Sequence, residues 1–374
     1  MTLLPLILIL LATTFSQEKI IKIKLTCSNN DQRSVFVAGN FNNWEVGQEQ
    51  FQMQQTGDNS YEIEIALKKT WPDTLQFRFA KENWGGAAID EYGNDYDNRI
   101  LLSNETEFDV HVYGWKVNGK AHKDEFKPII ATIDEEFEIP QLIKTRRITA
   151  LLPYNYHETD MHYPVLYLQD GQNLFDDFAP FGSWELDKKL AFLAERGKAN
   201  FIVVAIDHAE EDRIEEFTPS TETVLGIGDG EKYAHFLAET LKPYIDEHFR
   251  TKPEPEHTGI GGSSMGGLVS LYAARVNPTI YQKLLIFSPS LWVKPDIIER
   301  LVNKTPDFSG KIYLYGGDNE GSSMIPLIER FENLVLASSN SNIQLRTYIK
   351  AGGTHSEKEW AREFPRAVEW LFNE

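Results

Sequence analysis

One nine-residue stretch, Gly259-Ile-Gly-Gly-Ser-Ser-Met-Gly-Gly267, constrains this chain more than any other feature. Gly262 and Gly266 flank Ser264 in the pattern G-x-S-x-G, which is typical of a serine held on a sharp turn between a strand and a helix. Small residues are needed two positions either side of the serine, because strand and helix pass closely there. A phosphate-binding loop would instead end in Gly-Lys-Ser/Thr, which is absent. A short apolar segment precedes the motif and a helical apolar pattern follows it, so Ser264 is predicted to be a nucleophile.

Length and charge narrow the class of protein further. A length of 374 residues predicts two domains rather than one. The net charge of -19 argues against nucleic acid or an anionic membrane as a partner, because such surfaces need clustered Lys and Arg. The acidic residues are spread along the chain, which is typical of a solubilising surface.

The first residues resemble an export signal. An apolar run over 3–13, followed by small residues, predicts a signal peptide over 1–16, although no basic residue precedes the run. The run is too short to span a bilayer, and we expect a secreted or periplasmic protein that is not an integral membrane protein. The lone Cys27 cannot form an internal disulfide, so the fold does not depend on an oxidising compartment.

Residues 18–113 show alternating apolar and polar residues in short segments separated by turn residues, without a helix-length apolar stripe. This pattern predicts a small antiparallel, immunoglobulin-like β-sandwich. The following stretch, 114–140, is charged and contains scattered Gly and Pro, which predicts a linker that ends in an extended segment leading into the next domain.

Within this first domain, the segment Gly39-Asn-Phe-Asn-Asn-Trp44 resembles the glycogen- and starch-binding sandwich modules. That resemblance implies that Trp44 and Trp84 stack on glucose rings, assisted by Arg78 and Asn98. A flat indole covers the apolar face of a sugar at little cost in side-chain entropy. The alternative is a packing domain, in which Phe41 and Trp44 fill the end of the sandwich.

From residue 141 to 374, strand-like segments alternate with helical ones, which predicts a doubly wound α/β sheet. The last helical stretch before the serine motif is predicted as one long helix over 231–249. The order of strands and helices around the motif is that of an α/β hydrolase.

In such a fold the acid and the histidine follow the nucleophile along the chain. Asp318 and Glu320 both lie in a loop after a later strand, and His355 is the one histidine after the serine motif. His355 would take the proton of Ser264 during attack, and the carboxylate would fix the histidine tautomer. Two backbone N–H groups would hold the oxyanion: that of Met265 and that of Gly171 or Gln172 (the latter two from the loop after an earlier strand).

Four segments of this domain resemble a family of esterases related to esterase D, enterochelin esterase and the feruloyl esterases. They are Pro164–Phe175, Gly262–Gly267, Phe287–Trp292 and Gly353–Glu357. The resemblance implies hydrolysis of carboxylic esters without a metal or organic cofactor, and it favours Glu320 over Asp318 as the acid. Loop position further suggests that Trp292 and Phe175 line the substrate pocket.

The combined features predict an exported serine carboxylesterase that acts on acyl groups of carbohydrate, such as acetyl or feruloyl esters. A siderophore esterase of the enterochelin type is one alternative, although basic residues to hold an anionic catecholate are not evident near the motifs. The other alternative is a non-catalytic carbohydrate-binding protein that keeps the hydrolase domain as a scaffold.

Overall fold

The computed structural model describes residues 20–68, 70–72, 74–102, 105–305, 308–338 and 342–373. The predicted signal peptide over 1–16 lies outside these residues. The chain divides into two compact units, Met1–Ala121 and His122–Glu374. Among the described helices, none combines the length and the apolar character that a membrane span requires.

The described residues of the first unit form nine short strands. Their bounds are β1 Ile20–Cys27, β2 Val35–Gly39, β3 Gln54–Gly57, β4 Ser60–Ala66, β5 Thr74–Lys81, β6 Ala88–Ile89, β7 Arg99–Leu102, β8 Glu107–Val112 and β9 Gly114–Trp115. One sheet has the strand order β3-β4-β1-β8, and a second has the order β2-β5-β7. The two remaining strands, β6 and β9, pair with each other. Alternate residues of β1 are buried, from Ile21 to Cys27. They share one apolar core with residues of β2 and β5, because period-two alternation turns one face of each strand inward.

One strand pair departs from the predicted antiparallel arrangement. β1 and β8 are parallel, with Lys22 opposite Glu107 and Leu25 opposite Val110. Alternation of apolar residues shows which face of a strand is buried but not the direction of its neighbour. A parallel pair needs a long connection, and here the other strands of the unit supply it.

The second unit is built on an eight-stranded sheet in the order β10-β11-β13-β12-β14-β15-β16-β17. β12 to β17 are mutually parallel, whereas β10 and β11 run antiparallel to their neighbours. The bounds are β10 Ile129–Ile139, β11 Lys144–Leu152, β12 Val165–Gln169, β13 Ile202–Ile206, β14 Thr258–Ser263, β15 Lys283–Phe287, β16 Gly310–Gly317 and β17 Ile343–Lys350. The residues of β12, β13 and β14 are all buried, as expected for strands that are covered on both faces.

Helices cover both faces of this sheet. Their bounds are α1 Leu186–Ala194, α2 Arg213–Phe217, α3 Gly230–His235, α4 Lys242–His248, α5 Met265–Val276, α6 Ile297–Lys304, α7 Met324–Ala337 and α8 Glu357–Phe372. The apolar residues of α1 and α8 form one core, and those of α3, α5, α6 and α7 form the other. A large, mostly parallel sheet between two helical layers is the architecture of an α/β hydrolase.

The stretch 114–140 is not the irregular linker that its composition predicted, because it contains β9 and β10. β10 occupies an edge of the large sheet and has β11 as its one neighbour. Its register shifts between Thr132 and Asp134 and again before Phe137, and most of its side chains stay partly or fully exposed. Edge strands commonly carry charges and bulges, which hides them from a search for apolar alternation.

The structure does not contain the single long helix predicted over 231–249, because a segment of different helical geometry interrupts it. A π-helical segment, Phe236–Leu241, separates α3 from α4. Pro243 lies at the start of α4 and cannot donate a hydrogen bond to the carbonyl four residues earlier. π-Helical turns are rare and occur mostly as short segments inside α-helices, as here.

Candidate active site

Ser264 lies between β14 and α5 with the backbone of a strained turn. Its φ of 55° and ψ of -121° are unfavourable for a residue with a side chain. A Cβ on Gly262 would come within 3.0 Å of the Gly266 carbonyl carbon, and one on Gly266 within 2.9 Å of Asp170 Oδ2. These contacts explain the two flanking glycines, which let the strand and the helix meet at the serine.

The Ser264 hydroxyl faces Ser290, a residue that sequence reasoning did not single out. The two Oγ atoms are 3.3 Å apart, and the Ser290 backbone N–H donates to the Ser264 carbonyl at 2.9 Å. Ser290 is buried and follows β15, the neighbour of β14. Among the described residues, no hydrogen bond joins the Ser264 hydroxyl to His355.

Glu320 and His355 form a hydrogen-bonded pair at the same edge of the sheet. They follow β16 and β17, whose carboxyl ends lie at the same edge as that of β14. His355 Nδ1 is 2.8 Å from Glu320 Oε2, and the Glu320 side chain is fully buried while that of His355 is 41% exposed. Gly317 also donates its backbone N–H to Glu320 Oε1 at 2.6 Å.

Two further residues support this pair. The Ser288 hydroxyl donates to Glu320 Oε1 at 2.8 Å and accepts from the Trp360 indole N–H at 2.9 Å. The Trp360 ring lies edge-on to the imidazole of His355, with centroids 4.9 Å apart. The segment Phe287–Trp292 was the sequence signal for Ser288, but no rule of motif spacing indicated its role.

Asp318, the other candidate acid, has different partners. Its Oδ1 accepts from the backbone N–H of Gly352 at 2.6 Å, and its own N–H donates to the Lys350 carbonyl. These bonds connect the loops that follow β16 and β17. Asp318 therefore contacts the loop backbone, whereas Glu320 contacts the imidazole.

The three predicted oxyanion donors lie at helix starts. Met265 is the first residue of α5, while Gly171 and Gln172 open a short 3₁₀ turn after β12. In the described part of the chain, no acceptor is present for these three backbone N–H groups, as is usual in a first helical turn. The Gln172 side chain holds the turn by accepting from the N–H of His208 at 2.8 Å and donating to its carbonyl at 3.0 Å.

A cleft of about 300 Å³ opens beside this turn. Gly171, Gln172, Phe175, Arg147 and residues 176–178 line it, so one of the two predicted pocket residues, Phe175, is there. Trp292 is not part of its lining and is 45% exposed two residues after Ser290.

Two partly buried ion pairs lie beside the turn that begins at Gly171. Asp170 adopts a left-handed backbone conformation and binds Arg213 through both carboxylate oxygens, at 2.6 and 2.8 Å. Asp207 accepts from Arg147 Nε at 2.8 Å. Burial raises the pKa of the Asp207 carboxyl, against the opposite effect of Arg147.

The predicted sugar-contacting residues of the first unit lie close together. The rings of Trp44 and Trp84 are 6.3 Å apart at an angle of 43°, and the Trp84 indole N–H donates to the Trp44 carbonyl at 2.9 Å. The Arg78 guanidinium lies 5.6 Å from the Trp84 ring centre. Asn98 donates to Gln76, which shares a face of β5 with Arg78.

The other residues of the Gly39–Trp44 segment have structural tasks. Phe41 packs against Phe51 and Trp71, with centroid distances of 5.1 Å to each. This is the packing role that the alternative interpretation gives to Phe41. Asn42 accepts from the Gly39 N–H and so closes the turn. Trp84 remains 37% exposed and is available for contact.

Comparison with known proteins identifies relatives of the second unit. Residues 140–371 match the model of a family described as "Putative esterase". The chain is 23% identical over 240 residues to the uncharacterized protein YbbA of Bacillus subtilis. The aligned region covers 61% of this chain and 92% of YbbA.

Two curated relatives carry names of activities. The chain is 22% identical to an endo-1,4-beta-xylanase/feruloyl esterase of Xylanibacter ruminicola over 61% of this chain. It is 23% identical to the iron(III) salmochelin esterase of Escherichia coli O6:H1 over 58% of this chain. The chain spans 30% and 52% of the length of these two proteins, respectively.

Solved structures show the same fold. An IroE-like serine hydrolase from Shewanella oneidensis matches with a TM-score of 0.54 at 20% identity, over 66% of this chain and 80% of that one. The enterobactin esterase FES from Shigella flexneri matches with a TM-score of 0.51 at 16% identity, over 95% of this chain and 93% of that one.

Proposed function

The chain belongs to the Esterase family of ester-hydrolysing enzymes, and from this premise we propose that it hydrolyses carboxylic esters through an acyl intermediate on Ser264. The observation that carries the proposal is the 2.8 Å contact between His355 Nδ1 and Glu320, at the sheet edge where the strained Ser264 lies. A serine nucleophile, a base and an orienting acid in this chain order are the parts that acyl transfer needs.

The proposed reaction follows the proton. The Ser264 hydroxyl turns from Ser290 toward His355, whose Nε2 takes its proton as Oγ attacks the ester carbonyl. Glu320 holds the Nδ1 proton and stabilises the imidazolium. His355 then protonates the departing alcohol, and water releases the acid from Ser264 by the same steps in reverse.

The negative charge that develops on the carbonyl oxygen needs preorganised donors. The N–H of Met265 supplies one, and that of Gly171 or Gln172 supplies the other. Loss of one such donor typically lowers kcat by about 10² to 10³. The free N–H groups at both turns support this assignment.

We assign the substrate to acyl groups on carbohydrate, of the acetyl or feruloyl kind. The named feruloyl esterase among the relatives and the aromatic cluster of the first unit support this choice. We also propose that residues 18–113 form a sandwich module that binds glucan through Trp44, Trp84, Arg78 and Asn98. Export to the periplasm or the medium, which rests on the apolar run over 3–13, is part of the same proposal.

One observation favours a second candidate, a siderophore esterase. The match to the enterobactin esterase extends over 95% of this chain and therefore includes most of the first unit, whereas the serine-hydrolase match covers 66%. The two candidates predict opposite preferences for negatively charged substrates.

A small ester panel tests both candidates. We expect the enzyme to cleave 4-nitrophenyl acetate, methyl ferulate and acetylated xylan, and Ser264→Ala to cleave none of them. Preferential cleavage of a catecholate trilactone would favour the second candidate instead. Retention on immobilised glucans, compared between the wild type and Trp84→Ala, tests the binding module without involving the esterase site.

A further inference from the structure

Glu357 is an acidic residue beside the candidate site that the proposed reaction does not use. It is the first residue of α8 and lies two residues after His355. Its carboxylate borders the loop before α1, because a Cβ on Gly182 would be 3.9 Å from Glu357 Oε2. It also lies within electrostatic range of His355, Asp170 and Arg213.

The Glu357 carboxylate accepts from its own backbone N–H, and within the described part of the chain no cation pairs with it. No side-chain hydrogen bond or ion pair to it is present there, and exposed Lys358, next in sequence, does not pair with it. Burial raises the pKa of Glu357, and Asp170 adds to that effect, while the backbone N–H of Glu357, His355 and Arg213 oppose it. The group therefore presents lone pairs and, once ionised, a negative charge that has no ion-pair partner.

Four cationic side chains of the second unit are bound to other carboxylates. Arg213 binds Asp170, Arg147 binds Asp207, Lys188 binds Asp177 and Lys294 binds Asp296, at 2.6, 2.8, 2.8 and 3.1 Å. Asp176 and Asp177 line the cleft together with Arg147, and Asp177 is the partner of Lys188. These four cations already have carboxylate partners, so none of them neutralises Glu357 or offers an unpaired positive charge to an anionic ligand.

From this arrangement we propose that Glu357 makes the site select esters whose alcohol moiety is neutral and rich in hydroxyl groups, and reject those whose alcohol moiety is anionic. The inference rests on the proposed function and names its substrate class. A carboxylate accepts hydrogen bonds from sugar hydroxyls and repels carboxylates or catecholates at the same place. Glu357 acts here on specificity and takes no part in the proton transfers.

The test compares two acetate esters that differ by one charge, 4-nitrophenyl acetate and 3-carboxy-4-nitrophenyl acetate, at mildly alkaline pH. The measured quantity is the ratio of kcat/KM for the neutral ester to kcat/KM for the anionic one. In Glu357→Gln we expect this ratio to fall by roughly fivefold to tenfold, since one unit charge at a few ångströms in a partly wet site acts with about that strength.

Glu247→Gln is the matched control. It removes the same unit of charge from the exposed surface of α4, the helix that leads toward the start of β14, away from the carboxyl edge. We expect its ratio to equal that of the wild type. A second measurement needs no variant: the wild-type ratio should decline as ionic strength rises from low salt to about 0.5 M, because salt screens exposed charges.

The possible outcomes distinguish failure of the selectivity inference from failure of the proposed esterase activity. If the wild type cleaves both esters with equal kcat/KM at low salt, or if Glu357→Gln leaves the ratio unchanged, the selectivity inference is wrong while the esterase proposal stands. If the wild type, like Ser264→Ala, cleaves neither ester, the proposed function fails and the inference fails with it.

Discussion

Replacement of Glu320 by glutamine is the perturbation whose effect follows most directly from the structure. The carboxylate is fully buried and takes part in three hydrogen bonds: with His355 Nδ1 at 2.8 Å, from the Ser288 hydroxyl at 2.8 Å and from the Gly317 N–H at 2.6 Å. A carboxylate can accept all three, but an amide has one accepting oxygen and one donating nitrogen. Either orientation of the glutamine amide therefore loses a contact.

The size of the effect depends on which contact is lost. If the amide nitrogen faces His355, it forces the proton of the ring onto Nε2, where the base is needed, and such a wrong tautomer lowers kcat by about 10⁴. If it faces Gly317 instead, two donors oppose each other at a buried site, which costs about 1–3 kcal/mol of stability. We expect kcat for 4-nitrophenyl acetate to fall by about 10³ to 10⁴, which is about 4–5.5 kcal/mol in the activation free energy.

Asp318→Asn is the control for this prediction, since both substitutions remove one negative charge from the same loop. Asparagine keeps the oxygen that accepts from the Gly352 N–H, so we expect kcat within about twofold of the wild type. Thermal melts of both variants exclude unfolding as the cause of lost activity. Near-full activity of Glu320→Gln together with a large loss in Asp318→Asn would refute the assignment of Glu320.

Two further predictions concern stability. Gly266→Ala should lower the free energy of unfolding by about 1–3 kcal/mol in urea titrations and reduce esterase activity, because its Cβ would lie 2.9 Å from Asp170 Oδ2. An unchanged urea midpoint of unfolding would contradict the close packing of this turn. Burial, with Lys311 adding to it, lowers the pKa of Lys283 to about 8 from 10.5. Between these pH values the unfolded chain therefore binds more protons than the folded one, so the free energy of unfolding increases with pH. The difference in unfolding free energy between the wild type and Lys283→Met should rise from pH 8 to about 10.5. A difference that stays constant over this range would contradict the lowered pKa of Lys283.

The sequence was sufficient for the family, the ester-hydrolysing activity and the parallel sheet. The G-x-S-x-G motif identifies a local backbone requirement for glycine on both sides of Ser264, and a Cβ at either glycine would come within 3.0 Å of neighbouring atoms. Such local steric demands are visible in sequence because they restrict residue type directly.

Features that depend on distant partners were not visible. No sequence pattern distinguishes Ser288, Ser290 or Trp360 from other residues of their type. They contact the site because the sheet brings the loops after β14, β15 and β16 and the start of α8 to one edge. β10 was missed because an edge strand with one covered side does not need a continuous apolar pattern. The parallel pairing of β1 with β8 was missed because alternation carries no strand direction.

The site of covalent modification by a fluorophosphonate tests the central claim most directly, since such a probe reacts with an activated serine. Mass spectrometry of the labelled, digested enzyme should find one adduct, on Ser264, that disappears in Ser264→Ala and forms more slowly in Glu320→Gln. Absence of any adduct on the folded wild-type enzyme, or an adduct on Ser263 or Ser290 in place of Ser264, would contradict the proposed nucleophile.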